Sequence, residues 1–132
     1  AHAGQSVAFG ARIVNEGDTS ATLESATFRG EESGGESARV VDVRVAEITP
    51  TTDLIAAAPW PFEDLAEKSV PVEGYVLEPG EDAQVIYVVE VDRTGAWRRS
   101  RAQVNYRANG LRLATITRMW FEVCPTDFEC FE

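Results

Sequence analysis

The chain has 132 residues, 44% of them hydrophobic, and a formal net charge of −10 from 22 acidic and 12 basic side chains. That length supports one domain, 1–132, with its own core, and the acidic balance argues against general nucleic-acid binding, which wants a basic footprint. No apolar run approaches the roughly 20 residues that span a bilayer as a helix; the longest, "LIAAAPWPF", is broken by prolines.

Period-two alternation dominates from the start of the chain. The first ten residues, "AHAGQSVAFG", show no basic segment followed by an apolar core, so they do not read as a secretory signal; a trimmed or mature chain would look the same. "SVAFGARIV" places Val7, Phe9, Ala11 and Ile13 on one face and stops at the turn "NEGD". "ATLESATF" reads as a second strand with Leu23 inward, and it needs a bulge if Ala26 and Phe28 are also to face in. "RGEESGGESA" is polar and Gly-rich and reads as a surface loop. "RVVDVRVAEI" is a strand with Val41, Val43 and Val45 on one side.

Residues 49 to 69 are the least regular stretch, with "FEDLAEK" forming a helical turn or two after Pro61. The aromatic pair Trp60 and Phe62, flanked by Pro59 and Pro61, reads either as a plug over the open end of the fold or as a recognition loop. "VPVEGYVL" is an edge strand because Pro71 cannot donate to a ladder, "EPGED" is a tight turn, and "AQVIYVVEVD" is the clearest strand. About seven strands without helix–strand alternation make an antiparallel all-β sandwich.

Asn109-Gly110 between two alternating runs is the signature of a two-residue type I′ hairpin. Counting outward sets Arg107 against Arg112 and Arg101 against Arg118, with Arg99 beside Trp120 and Trp97 beside Glu122. The opposite face then carries Ala102, Val104, Tyr106, Leu111, Leu113, Met119 and Phe121 toward the core. From Arg93 to Arg118 there are seven of the twelve basic residues and no acidic one. Opposed arginines repel, so one reading has Glu90 and Asp92 of "AQVIYVVEVD" interleave with them. The other leaves Arg99, Arg101, Arg107, Arg112 and Arg118 for an anionic partner, with Trp97 and Trp120 as stacking platforms; the guanidinium fork suits carboxylates, sulfates and phosphates.

Catalytic chemistry is not legible. His2 is the sole histidine, so no Ser-His or Cys-His pair forms unless the N-terminus folds over the body, and an enzyme is not expected. No cofactor or resident metal is expected either. The alternative is a metal-handling envelope protein, with copper on Ala1 and His2 or calcium near Glu16, Asp18, Glu81 and Asp82. Cys124 and Cys130 either close a small loop as a disulfide or stay as free thiols. The disulfide would contribute about 2.4 kcal/mol by chain entropy and would imply an oxidising compartment, hence export.

"RIVNEG", then "YVLEPGEDAQVIYVVEV", then "GAWRRSRAQVNY" carry Asn15 and Gly17; Leu77, Pro79, Gly80 and Glu81; and Gly95. This order resembles bacterial immunoglobulin-like domains of the cell-adhesion-related type, in which a strand ends in Asn-x-Gly and a later one is announced by Leu-x-Pro-Gly-Glu. The likeness runs over most of residues 7 to 107, and the chain departs from it at 49–69 and in the cysteine loop. The resemblance implies an immunoglobulin-like or fibronectin-III-like sandwich. It also implies a secreted or envelope location and a non-catalytic role in adhesion, spacing or recognition; a protein or an anionic glycan or lipid is the expected kind of partner. It brings no active site.

Overall fold

The computed structural model describes residues 6–33, 38–49, 57–61, 63–91 and 97–123. Within these, only the backbone is described at 29–33, 38, 57–59, 63, 64, 91, 97, 98, 100 and 118–123. The strands are β1 (Ser6–Val14), β2 (Ala21–Ser33), β3 (Ala38–Glu47), β4 (Ala57–Pro59), β5 (Val70–Pro71), β6 (Val76–Leu77), β7 (Asp82–Val91), β8 (Trp97–Ala108) and β9 (Leu111–Val123), with one short helix, α1 (Glu63–Lys68). They form two antiparallel sheets, β4-β1-β7-β3-β5 and β6-β2-β8-β9.

The sheets pack face to face through the inward residues of β1, β2, β7 and β8. Phe9, Leu23, Val85, Tyr87, Ala102 and Val104 lie in one buried cluster. Phe28 ties the layers, stacking on Tyr87 at 4.3 Å between ring centres and meeting Phe9 edge-on at 6.2 Å. The Tyr87 hydroxyl crosses to the second sheet and donates to the Gln103 carbonyl at 3.2 Å. Its ring is fully buried, and burial raises its pKa above the ordinary tyrosine value.

β7 is apolar on both faces because both faces are covered. Val85, Tyr87 and Val89 point to the core, while Ile86 and Val88 join Ala8, Ala46 and Leu65 of α1 in a second cluster on the outside of the first sheet. Trp60 packs on this outer cluster, so it lies against a sheet face and not over the open end of the fold; Phe62 lies outside the described residues. Arg44 fixes the helix there, its guanidinium donating to the Ser69 hydroxyl at 2.6 Å and the Ser69 carbonyl at 2.8 Å. The short helix expected after Pro61 is present as α1.

Several local expectations need revision. "VPVEGYVL" is not one strand: Val70–Pro71 closes the edge of the first sheet and Val76–Leu77 that of the second, joined through Gly74 at φ 85°. "RGEES" is not loop, because β2 continues to Ser33 opposite the long β8. β4 falls in a stretch with no strand pattern and, among the described residues, pairs with Val7–Phe9. Val41 is 46% exposed, since a register shift between Val40 and Asp42 takes it out of the inward row that holds Val43 and Val45. The bulge anticipated in β2 occurs between Leu23 and Ser25, and lets Leu23, Ala26 and Phe28 all pack inward.

The turns at one end are tied by Asn15. Its backbone exchanges bonds with the 80–81 turn, Asn15 N–H to the Glu81 carbonyl at 3.0 Å and Gly80 N–H to the Asn15 carbonyl at 2.8 Å. Its side-chain amide donates to the carbonyls of Thr19 at 2.9 Å and Leu77 at 2.8 Å, and its oxygen accepts from Gly17 N–H at 3.0 Å. Asn-x-Gly and Leu-x-Pro-Gly-Glu are thus two halves of one hydrogen-bonded corner.

Candidate functional site: the arginine face of β2, β8 and β9

The hairpin forms as its sequence requires. Asn109 at φ 52° and Gly110 at φ 76° give the type I′ geometry, and Ala108 pairs with Leu111, Arg107 with Arg112 and Arg101 with Arg118. Beyond Arg101 the register shifts, so Arg99 lies opposite Phe121, Arg98 opposite Glu122 and Trp97 opposite Val123. The expected pairings of Arg99 with Trp120 and of Trp97 with Glu122 are therefore corrected. One extra residue in β9 between Arg118 and Phe121 displaces everything past it. A matching shift in β2 between Arg29 and Glu32 sets Glu32 opposite Arg99.

The neutralising strand is also different from the expected one. β7 lies in the other sheet, between β1 and β3, and its Glu90 pairs with Arg39 at 3.2 Å. It cannot interleave with β8 and β9; Asp92 lies outside the described residues. The true neighbour of β8 is β2, and β2 sets Arg29 opposite Arg101. Three arginines, Arg29, Arg101 and Arg118, thus follow one another across three adjacent strands. Like charges at directly opposed positions of neighbouring strands are destabilising. Sequence reasoning missed Arg29 because its membership depends on which strand flanks β8. The available signal was its spacing from Phe28 after the β2 bulge.

At the turn end of this face stand Arg107 and Arg112, beside Thr22 of β2. Glu24, the extra residue of the β2 bulge, reaches Arg107 at 3.3 Å. Both side chains are substantially exposed, which makes this a weak, screened pair. Between the arginines the face is neutral, with Gln103 donating to Asn105 at 2.7 Å and Asn105 to Ser25 at 2.9 Å. On the first sheet, by contrast, Arg12, Arg39 and Arg44 pair with Asp82, Glu90 and Asp42. Among the described residues no carboxylate pairs with Arg101 or Arg112, and both are exposed. The side chains of Trp97, Arg118 and Trp120 are not described, and Arg99 is half-buried and engaged in contacts of its own.

The inner face of β9 departs from expectation too. Leu111 is 60% and Leu113 43% exposed, so neither is core. β9 is an edge, and among the described residues β4 flanks β1 at Val7–Phe9. An open groove of about 610 Å³ results, lined by Ile13, Leu23, Leu77, Val104, Leu111 and Leu113 among others.

Among the described residues no group of three or more potential metal ligands comes together. Asp82 holds Arg12 at 2.9 Å, and Glu81 accepts from Glu78 N–H at 2.8 Å. His2, Cys124 and Cys130 lie outside the described residues. Among the described residues no helix is long and apolar enough to cross a membrane. In comparisons with known proteins, no family model, no curated protein and no solved structure matches the chain.

Proposed function

We propose that the chain is a non-catalytic, immunoglobulin-like binding module of the secreted or envelope kind, which recognises an anionic partner through the outer face of β2, β8 and β9. The observation that carries this reading is the row Arg29, Arg101, Arg118 across three strands, with Arg101 exposed and no described carboxylate beside it. A guanidinium stays protonated at all working pH values, so it is a binding group and not an acid–base catalyst. An anion lying across the row removes the mutual repulsion of its members and gains charge-assisted hydrogen bonds. The net charge of −10 repels a polyanion everywhere else, which confines binding to this face and makes it salt-sensitive. Export rests on the motif resemblance and on the Cys124–Cys130 pair as a disulfide.

The test is equilibrium binding of a heparin fragment at low and high salt to the native chain and to the double variant Arg101→Glu/Arg112→Glu. The reading requires salt-sensitive binding that falls about tenfold or more in the variant. Binding that is equal in the two proteins, or absent from both against sulfated, phosphorylated and carboxylated probes alike, removes it.

A further inference from the structure

We infer that the anionic partner is an extended acidic segment of another polypeptide, added to the second sheet as a strand alongside β9. This rests on the binding face proposed above and specifies its occupant. The other end strands, β4, β5 and β6, have two or three residues each, with Pro59 and Pro71 in β4 and β5; the stretches of β1, β2 and β3 that they leave without a described neighbour carry charge or register shifts, at Arg12, at Glu24 and Arg29, and at Arg39 and Asp42. β9 is a thirteen-residue edge, open along its length in the sheet order. Edge strands are normally blunted by charge, proline or bulges. Here "LATIT", residues 113–117, has none of these between Arg112 and the shift past Arg118.

The hairpin register fixes which backbone groups are free. With Ala108 and Leu111 closing a two-residue turn, the antiparallel alternation directs the N–H and C=O groups of Leu111, Leu113 and Thr115 toward β8. Those of Arg112, Ala114 and Ile116 then face outward, ready for an incoming strand.

The two sides of that edge specify an alternating peptide. On the inner side, Leu111 and Leu113 are exposed above the open groove with Ile13 below, so every second residue of the guest is apolar. On the outer side the rows end in Arg112 and Arg118, with Arg107 and Arg101 next inward, so the intervening residues are acidic. A second copy of β9 is the wrong guest: self-pairing about Thr115 opposes Arg112 and Arg118 twice, and directly opposed like charges are destabilising. A lipid surface or a glycan would use the arginines but neither the free backbone groups nor the apolar groove.

The experiment uses the whole chain and a ten-residue peptide of alternating valine and glutamate, with the valine–lysine peptide and phosphatidylserine vesicles as comparisons. Binding is followed by amide hydrogen exchange. The inference expects the valine–glutamate peptide to slow exchange at Arg112, Ala114 and Ile116, and the valine–lysine peptide to leave it unchanged. Ala114→Pro removes an outward N–H without touching the β8 ladder, and should weaken the peptide about tenfold or more while leaving heparin binding intact. Should that variant not fold, Leu113→Asp on the inner side serves the same purpose. Heparin or vesicle binding through the arginines, without any new protection at these amides, overturns the inference and leaves the binding face standing. Loss of both heparin and peptide binding overturns the two together.

Discussion

Replacing Asn15 by alanine tests whether one side chain holds the turn end of the fold together. Asn15 makes three side-chain hydrogen bonds, to Thr19, Leu77 and Gly17, that alanine cannot make. The bonds to Thr19 and Gly17 are exposed, so water replaces them and each contributes a few tenths of a kcal/mol. The Leu77 carbonyl is partly buried, and losing its donor costs about 1–1.5 kcal/mol. The sum is about 2 kcal/mol, which for a domain of this size lowers Tm by roughly 6–10 °C. Asn15→Asp sharpens the test. It keeps the acceptor for Gly17 N–H but sets a carboxylate against two carbonyl oxygens, so it should cost at least as much as alanine. Thermal and urea unfolding followed by circular dichroism measure both. Asn15→Ala within about 0.5 kcal/mol of the native chain, or Asn15→Asp more stable than Asn15→Ala, would refute the corner as drawn.

Tyr87→Phe removes the bond to the Gln103 carbonyl and should cost about 1 kcal/mol, whereas Tyr87→Ala empties a fully buried site under Phe28 and should cost about 3–5 kcal/mol by urea unfolding. Tyr75 and Tyr87 both have raised pKa values, chiefly from burial, with Glu47 and Glu81 adding to Tyr75. Above about pH 10 the unfolded chain releases phenolic protons that the folded chain keeps, so stability should be full below that pH and fall as pH rises; Tyr87→Phe should flatten the fall. Gly110→Ala places a side chain at φ 76° and should lose about 1 kcal/mol, while Asn109→Gly should be tolerated. The proposed disulfide between Cys124 and Cys130 is tested by reduction, which should raise the mass by two hydrogens and lower stability by about 2.4 kcal/mol; an unchanged mass means free thiols.

What the sequence made legible was local. Asn109-Gly110 dictates its own turn and the pairing of Arg107 with Arg112 and Arg101 with Arg118. The bulge in β2 follows from the need to bury Leu23, Ala26 and Phe28 together, and the two-sided apolar run of β7 marks a central strand. Neighbour relations were not legible, because alternation says which way a side chain points and not which strand lies beside it. Alternation therefore shows neither that Glu90 lies in the other sheet nor that Arg29 joins the arginine row. It is also why Leu111 and Leu113 read as core: their pattern is right for a covered strand, yet among the described residues both are exposed. Past Arg101 the failure has one cause, a single extra residue in β9 that shifts Trp120 out of line with Arg99.

The central claim is that the arginines of the second sheet are a binding face and those of the first are structural. It is tested most directly by titrating the native chain with a heparin fragment while observing the arginine Nε–Hε signals by NMR. The account predicts that Arg101 and Arg112 shift and saturate at low salt, with Arg44 unmoved because the Ser69 hydroxyl and carbonyl already hold its part-buried guanidinium. An equal shift at Arg44, or no shift at Arg101 and Arg112 while heparin is bound, would contradict it.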